Sequence, residues 1–238
     1  MTNKELVKNV IIKTLPVMAG YVVLGTGFGI LLKVNGYGIW WALLMSVFIF
    51  AGSAQYVGIS LISGGASLIT TAMTIFMVNA RHLFYGVAMI DHYKGAGKRK
   101  PYLIFALTDE TYSLVCNGES PEGVDKHKYW FWISFFNQSY WIIGSIIGSV
   151  VGSLIKFDTT GIDFSMTALF VTVFVEQWLS NKEHRPALIG IIASVICLLI
   201  FGQEKYLIPT MILIVISLTL FRRTFERNNS EIEEGADE

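Results

Sequence analysis

Hydrophobic residues fill eight long stretches of the chain, and polar residues gather in the short segments between them. A helix needs roughly 20 consecutive apolar residues to cross the hydrocarbon core of a bilayer. Several stretches reach this length, so the pattern predicts an all-α integral membrane protein, built as a polytopic bundle of helices. The eight apolar runs cover residues 16–32, 39–62, 66–90, 102–117, 129–155, 164–179, 187–201 and 206–221.

Three runs are interrupted where a spanning helix would continue. The second breaks at Ala51–Gln55 and the third at Asn79–His82, while the short sixth run carries Glu176 and Gln177 near its end. Inside lipid, an opened backbone persists only where protein or a watery cavity satisfies its polar groups. The breaks therefore indicate a binding site for a solute.

Composition agrees with a membrane protein. Apolar residues make up 53% of the 238 residues and charged residues 15%, and the net charge is zero, which gives nucleic acid no electrostatic support as a partner. Cys116 and Cys197 lie inside apolar runs, without the spacing of a metal site or a disulfide framework. We expect no cofactor. Residues 222–238 are charged and are predicted to form a disordered cytosolic tail.

Basic residues discriminate between topologies, because positive loops stay on the cytoplasmic side. If all eight runs cross the membrane with the amino terminus inside, ten basic residues lie inside and seven outside, which is a weak bias. If the second and sixth runs are re-entrant, the inside total rises to 13 and the outside keeps Lys33, Lys126, Lys128 and Lys205. The sequence thus favours six full spans, two re-entrant segments and cytoplasmic termini.

The two halves of the chain resemble each other. A Gly-Ile step opens an apolar stretch that ends in glutamine and an aromatic residue, over residues 38–56 and again over residues 161–178. Three spans per half would place the second copy upside down relative to the first. We therefore predict one transmembrane domain over residues 1–221, with inverted repeats at about 15–117 and 129–221, each with three spans and one re-entrant or broken helix.

Polar residues at the breaks are candidates for substrate binding. Gly52 lets the backbone open, and Ser53 and Gln55 supply a hydroxyl and an amide; the alternative is a notch for close helix packing. Glu176 and Gln177 occupy the matching position of the sixth run. A carboxylate there is costly unless it is paired, protonated or hydrated, and a loop-edge position is the alternative.

Arg81 lies beside Asn79 between two uncharged stretches, and both are further candidates for substrate binding. A guanidinium at membrane depth needs a carboxylate partner or a ligand anion, unless the side chain extends to the interface. His82 is expected to be a hydrogen-bonded structural residue, because no second ligand stands at zinc-like spacing.

Asp109 and Glu110 lie in the middle of the fourth run and are the strongest functional signal in the sequence. On a helix they point about 100° apart, so that one can pair with Arg81 while the other faces a cavity. Such a carboxyl group can couple transport to protons; a buried ion pair that only fixes packing is the alternative. Asn137 and Gln138 are expected to form hydrogen bonds between helices.

Several motifs then carry a family resemblance, and they span most of the chain, from about residue 15 to residue 220. They are Met18–Gly20, Gly27–Gly29, Phe50–Gln55, Asn79–Gly86 and Leu107–Thr111. Together they resemble the AzlC family, the large subunits of branched-chain amino acid exporters. The resemblance implies export of valine, leucine and isoleucine, with methionine as a further candidate, coupled to the proton gradient. It also implies the cytoplasmic membrane of a prokaryote and a separately encoded, small hydrophobic partner subunit of the AzlD type.

A zwitterionic amino acid requires sites for both of its charges. Arg81 or a helix amino terminus at Gly52 can bind the carboxylate, and Asp109, Glu110 or Glu176 can bind the ammonium group. A hydrophobic pocket distinguishes one methylene by only ~1–3 kcal/mol, which favours a broad preference for branched side chains.

Three functional classes remain open at this point. Broken helices around charged groups favour a transporter with alternating access over a passive channel for a small solute. An intramembrane enzyme would have to use His82, His92 and Asp91, but the sequence contains no metal pair, serine elbow or nucleotide loop in support of catalysis.

Overall fold

The computed structural model describes residues 3–154, 184–202, 206, 209–210 and 212–220, together with residues 164, 167, 171, 174, 175, 178 and 179. Regular structure within these residues is helical, without a strand, which confirms the all-α prediction. The helices are α1 Asn3–Val34, α2 Ile39–Phe48, α3 Gly52–Ser63, α4 Leu68–Asn79, α5 Arg81–Ala88, α6 Lys100–Phe105, α7 Asp109–Val115, α8 Lys126–Leu154 and α9 Arg185–Phe201, with a 3-10 turn at Gly97–Arg99.

The chain divides into two compact units, Met1–Thr167 and Ala168–Glu238. The first unit contains α1 to α8. In the second unit, α9 buries Ala193 and Cys197 and leaves most of its other apolar side chains exposed. Among the described residues, two stretches are long and apolar enough to cross a bilayer, Lys4–Val34 and Arg185–Gly202.

Helices α1 and α8 pack side by side and run in the same direction. Near their beginnings, the Tyr129 hydroxyl donates to Asn9 Oδ1 at 2.7 Å. Near their ends, Gly152 lies against Ile30. We call the end where both helices begin the amino-terminal end of the bundle, and the other the opposite end.

Glycines make this parallel contact close. They recur every four residues, as Gly25 and Gly29 on α1 and as Gly144 and Gly148 on α8. A Cβ atom at Gly25 would lie 3.0 Å from backbone atoms of α8, and one at Gly144 would lie 2.8 Å from backbone atoms of α1. Small residues at this spacing allow two helix backbones to touch within a membrane. We call the contact the glycine seam.

Helices α2 and α3 form a hairpin on the opposite end of the bundle. They are antiparallel, since Gln55 Nε2 donates to Ser46 Oγ at 3.4 Å and Gly58 lies against the end of the Met45 side chain. The second apolar run therefore enters and leaves by the same end, as predicted for a re-entrant segment. Its tip is the extended stretch at residues 50–51.

Helices α6 and α7 form a second hairpin, from the amino-terminal end. Residues along α6 contact positions progressively further from the amino-terminal end of α8, and residues along and after α7 contact positions progressively nearer to it. The contacts in chain order are Arg99 with Asp125, Tyr102 with Gln138, Thr111 with Asn137, and the Glu119 carbonyl with Trp130. The fourth run is therefore also a hairpin, which corrects its prediction as a full span.

This second hairpin changes the predicted topology. Because the fourth run turns back, Lys126 and Lys128 lie at the amino-terminal end, where the prediction had placed them on the other side. The parallel direction of α1 and α8 likewise contradicts an inverted relation between halves that begin with these two helices. Much of the sixth run and residues 222–238 lie outside the described residues.

Buried apolar side chains form two clusters along the α1 and α8 pair. The first, toward the amino-terminal end, includes Leu6, Val10, Leu103, Trp130 and Ile133. The second lies at the tip of the α2 and α3 hairpin and includes Tyr21, Phe28, Phe50, Tyr56 and Trp141. The two clusters hold each hairpin against the continuous helices.

Candidate functional site

Arg81 joins the tips of the two hairpins. One guanidinium nitrogen forms an ion pair with the carboxylate of Asp109, at the start of α7. The other terminal nitrogen donates to Ser53 Oγ at 3.1 Å, near the start of α3. The side chains of Arg81 and Asp109 are 29% and 18% exposed. Three residues that were predicted to be functional thus meet at the contact between the hairpins.

Arg81 itself follows a break in the third run. Helix α4 ends at Asn79 and α5 begins at Arg81, although Ala80 keeps helical backbone angles. The interruption that was predicted at this point is therefore present, as a discontinuity in hydrogen bonding that does not open the backbone.

Asp109 and Glu110 begin a helix instead of lying within one. Thr108 has extended backbone angles, and its hydroxyl accepts a hydrogen bond from the Thr111 amide at 3.3 Å, which caps α7. Acidic residues are favourable in the first turn of a helix, where backbone amide groups point outward. The sequence Thr-Asp-Glu-Thr has this helix-start pattern. The pattern was overlooked because the fourth run was interpreted as a single span.

A hydrogen-bonded network ties the start of α7 to the continuous helices. The Tyr21 hydroxyl on α1 donates to Glu110 Oε2 at 2.6 Å and lies 2.7 Å from Thr108 Oγ1. Asn137 on α8 donates to Thr111 Oγ1 at 3.1 Å. The two neighbouring carboxylates thus have different partners, Arg81 for Asp109 and Tyr21 for Glu110. Sequence reasoning missed Tyr21, whose position inside an apolar run gives no local signal.

Gln138 connects both hairpins to α8. Its side chain accepts a hydrogen bond from the Tyr102 hydroxyl at 2.7 Å and donates to the Val47 carbonyl at 3.0 Å. The contacts of Asn137 and Gln138 confirm the predicted hydrogen bonds between helices.

A cavity of about 350 Å³ lies beside the breaks that precede Gly52, Arg81 and Asp109. Asn79 contributes a buried Oδ1 atom that has no hydrogen-bond partner among the described residues. Most of the remaining wall is apolar. The lining residues are Ile49, Phe50, Ala51, Asn79, His82, Leu83, Gly86, Tyr93, Ile104, Phe105 and Leu107.

Phe50 holds the tip of the first hairpin in an unusual conformation. Its φ angle is +42°, and its side chain is buried against Tyr21 at a ring distance of 6.3 Å. A positive φ is uncommon for a bulky residue and costs of order 1–3 kcal/mol, which the surrounding packing must offset. Strain of this kind often lies beside binding sites.

Gly52 and Gln55 lie in the packing between α3 and α8. The carbonyl oxygen of the Gln55 side chain accepts a hydrogen bond from Trp141 Nε1 at 2.9 Å, and a Cβ atom at Gly52 would lie 3.0 Å from the same indole ring. Neither residue is in direct contact with the cavity, and Ser53, Arg81, Asp109 and Glu110 likewise lie beside it and do not line it. The two contacts with Trp141 agree with the alternative interpretation of this segment, in which small residues allow close packing between helices.

The other candidates are more dispersed. His82 lines the cavity with its Nδ1 atom 3.1 Å from the Asn79 carbonyl oxygen, as expected for a hydrogen-bonded structural residue. Asp91 forms an exposed ion pair with Lys94 at 2.6 Å, away from the cavity lining. The described residues contain no group of three potential metal ligands. Glu176 and Gln177 lie outside the described residues.

Half-helix hairpins that meet at charged residues beside a cavity are typical of membrane transport proteins. The model of the AzlC protein family matches residues 16–155. The chain belongs to the AzlC family, which confirms the resemblance seen in the sequence.

Individual relatives agree with this assignment. The branched-chain amino acid transport protein AzlC of Bacillus subtilis strain 168 is 41% identical, over 90% of this chain and 84% of its own. An uncharacterized membrane protein of Helicobacter pylori strain 26695 is 43% identical, over 90% of this chain and 93% of its own. The inner membrane protein YgaZ of Escherichia coli K12 is 25% identical, over 76% and 78%. No solved structure matches the chain.

Proposed function

We propose that the chain exports valine, leucine and isoleucine, with methionine as a further substrate, by alternating access coupled to protons. The observation that carries the proposal is the shared Arg81, which holds the tips of two opposed hairpins beside an apolar cavity. The name of the Bacillus subtilis relative supports the substrate class.

The polar end of the site suits a zwitterion. Arg81 supplies the positive charge for the substrate carboxylate, and its planar guanidinium can bind two oxygen atoms at once. Asn79 Oδ1 and Asp109 Oδ1 are buried acceptors without hydrogen-bond partners among the described residues, and both can accept hydrogen bonds from the substrate ammonium group. The substrate thereby replaces the ion pair between Arg81 and Asp109 with two ion pairs of its own.

This exchange links substrate binding to movement. When the substrate carboxylate takes the guanidinium from Asp109, the α6 and α7 hairpin loses its ion pair with α5 and keeps the stacking of Tyr112 on Tyr85. Each hairpin enters from a different end, so displacement of one tip opens the cavity toward one side only. Asp109 and Glu110 are the proposed proton-coupling residues. A carboxylate at membrane depth is costly without a partner, and substrate binding removes that of Asp109, while Glu110 beside it keeps its hydrogen bond from Tyr21.

The distribution of charge supports a cytoplasmic amino-terminal end. Positive residues at the ends of spanning helices resist translocation. In residues 3–154 the opposite end carries Lys33, while the amino-terminal end carries Lys4, Lys8, Lys13, Lys94, Lys98, Arg99, Lys100, Lys126 and Lys128. The corrected topology therefore gives a stronger bias than the predicted one. We place the chain in the cytoplasmic membrane of a prokaryote, with a separately encoded AzlD-type subunit as its partner.

Leucine flux in proteoliposomes tests the proposal. The purified chain and its small partner subunit are reconstituted together, and uptake and efflux of labelled leucine are followed with and without a pH gradient. We expect saturable flux that the gradient accelerates. Flux that rises linearly with leucine concentration would indicate a pore, and absence of leucine flux would refute the substrate assignment.

Asp109→Asn is the matched variant for coupling. It removes the carboxylate while keeping its shape, and we expect the acceleration by the pH gradient to disappear while membrane insertion is retained. Asp125→Asn is the control, since Asp125 forms a comparable ion pair with Arg99 at 2.7 Å on the surface. Equal gradient dependence in the two variants would contradict a coupling role for Asp109.

A further inference from the structure

One face of the third apolar run lines the cavity. Its lining residues Asn79, His82, Leu83 and Gly86 follow the i, i+3, i+4, i+7 spacing of a single helical face. Asn79 lies at the polar end of this face, next to Arg81. Gly86 lies two turns further along, about 10 Å away at 1.5 Å per residue. The face therefore extends from the charged groups along an apolar wall.

Gly86 has none of the usual structural reasons to be glycine. Its φ angle is not positive, unlike those of Gly65 and Gly95 in nearby turns. A Cβ atom at Gly86 would have no heavy atom within 4 Å among the described residues, in contrast to the crowded glycines of the seam. Glycine inside a helix costs roughly 0.5–1 kcal/mol relative to alanine. What the missing side chain provides at this position is open volume in the cavity.

The walls around this volume are mostly apolar; the polar groups are His82 and the buried hydroxyl of Tyr93, which has no hydrogen-bond partner among the described residues. Leu83 lies one turn before Gly86 on the same helix, Ile104 and Phe105 come from the end of α6, and Phe50 comes from the tip of the first hairpin. Phe50 and Phe105 stand 6.4 Å apart, measured between ring centres. These apolar surfaces suit an aliphatic side chain.

We propose that this part of the cavity binds the side chain of the transported amino acid, and that Gly86 sets the upper limit on side-chain length. The inference rests on the proposed function. The substrate's charged groups lie at Arg81, Asp109 and Asn79, and its side chain points along α5 toward Gly86. Methionine and leucine reach furthest toward Gly86, whereas valine stops earlier.

A graded series at Gly86 tests this orientation. Gly86→Ala, Gly86→Val and Gly86→Leu fill the volume in steps, and each variant is reconstituted with the partner subunit and assayed with labelled valine, leucine and methionine. We expect the KM for methionine and leucine to rise at least about tenfold in Gly86→Leu, consistent with the cost of excluding a methylene group. The KM for valine changes least, and Gly86→Ala gives a smaller shift in the same order.

Gly20→Leu is the matched control. Gly20 also lies inside a helix, α1, with no heavy atom within 4 Å of its Cβ position among the described residues, but it does not line the cavity. We expect the ratio of KM values for methionine and valine to be unchanged in this variant. An equal change in Gly20→Leu and Gly86→Leu would overturn the assignment of Gly86.

A second variant works in the opposite direction. Leu83→Ala removes side-chain volume from the same wall, and we expect it to admit larger substrates, seen as inhibition of leucine flux by phenylalanine at concentrations at least about tenfold lower than in the wild type. This variant and Gly86→Ala decide the question if Gly86→Leu fails to fold. Absence of both shifts would overturn the proposal.

The outcomes separate the two proposals. If the wild-type protein transports leucine and the size ranking is unaffected by Gly86 and Leu83, the side-chain site is wrong and the transport function stands. If the wild-type protein with its partner subunit moves none of the three amino acids, both proposals are wrong.

Discussion

The glycine seam and the contact between the hairpin tips solve the same problem in different ways. In lipid every backbone polar group needs an internal partner. Helices α1 and α8 satisfy theirs within continuous helices, so glycines can bring the two backbones into contact. The hairpins interrupt their helices, and side chains such as Thr108 take over the missing hydrogen bonds.

Because of this difference, the glycine seam is a fixed contact, whereas the contact between the hairpin tips can change partners. Contacts in the seam are made by backbone atoms and allow one arrangement. The contacts of Arg81 are made by side-chain groups, and in the proposed function the charged groups of the substrate replace them. The comparison therefore predicts that substitutions in the seam affect folding, whereas substitutions at the tips affect transport.

The largest expected effect lies in the seam. Gly29→Ala and Gly148→Ala place a methyl group into the backbone of the facing helix, and the two helices must separate to admit it. We expect a loss of stability of about 3 kcal/mol or more, measured as thermal unfolding of the purified protein by size-exclusion chromatography. Gly20→Ala is the control and should unfold at the wild-type temperature. Wild-type stability of both seam variants would refute the close contact.

The next largest effect concerns transport. Arg81→Lys keeps the charge but cannot reach Ser53 and Asp109 with one planar group. We expect leucine flux per folded protein to fall at least about tenfold, a factor that corresponds to the loss of one charge-assisted hydrogen bond of about 1.5 kcal/mol. Arg99→Lys, at the exposed ion pair with Asp125, should keep its flux. Similar flux in the two variants would contradict the role of Arg81.

Tyr21→Phe tests where the two regions join, since Tyr21 belongs to α1 but holds the start of α7. Loss of its hydroxyl leaves Glu110 without its donor, at a cost of roughly 1–3 kcal/mol. We expect slower leucine flux together with a loss of stability of about that size. Tyr56→Phe removes a comparable hydrogen bond, to the Leu24 carbonyl at 2.7 Å, outside the contact between the tips. The control variant Tyr56→Phe should have lower stability but unchanged flux per folded protein. Equally slow flux in both variants would indicate that Tyr21 serves only in packing.

The smallest effect on transport is expected at Gln55. Its hydrogen bonds to Ser46 and Trp141 hold α3 against its neighbours, so Gln55→Met should reduce stability by about 1–3 kcal/mol and leave the KM for leucine unchanged. Thermal unfolding and flux assays on the same preparation check both values. A large rise in KM would instead support the sequence-based prediction that Gln55 binds substrate.

Much of the site could be predicted because charges are costly in lipid. Arg81 and Asp109 stand out in apolar runs, and the structure pairs them. Tyr21 and Gly86 carry no comparable signal, since a tyrosine or a glycine is ordinary in an apolar segment and its meaning depends on which residues face it.

The fold was predictable where small or polar residues interrupt an apolar run. The break before Gly52 was found in this way. The break before Asp109 was missed because the acidic pair was interpreted as a polar site within a span, although Thr108 and the two acids form a helix start. Because each full span changes the side of the membrane on which the following residues lie, counting this hairpin as a span placed Lys126 and Lys128 on the wrong side.

Labelling of single cysteines tests the opposed hairpins most directly. Cys116 and Cys197 are replaced by serine, and Asn35→Cys, Ser63→Cys, Lys98→Cys and Glu122→Cys are introduced one at a time at exposed positions that flank the hairpins. Intact cells are then treated with a thiol reagent that cannot cross the membrane. We expect positions 35 and 63 to be labelled, and positions 98 and 122 to be protected until the membrane is opened. Labelling of only one of positions 35 and 63, or of only one of positions 98 and 122, would contradict the two opposed hairpins.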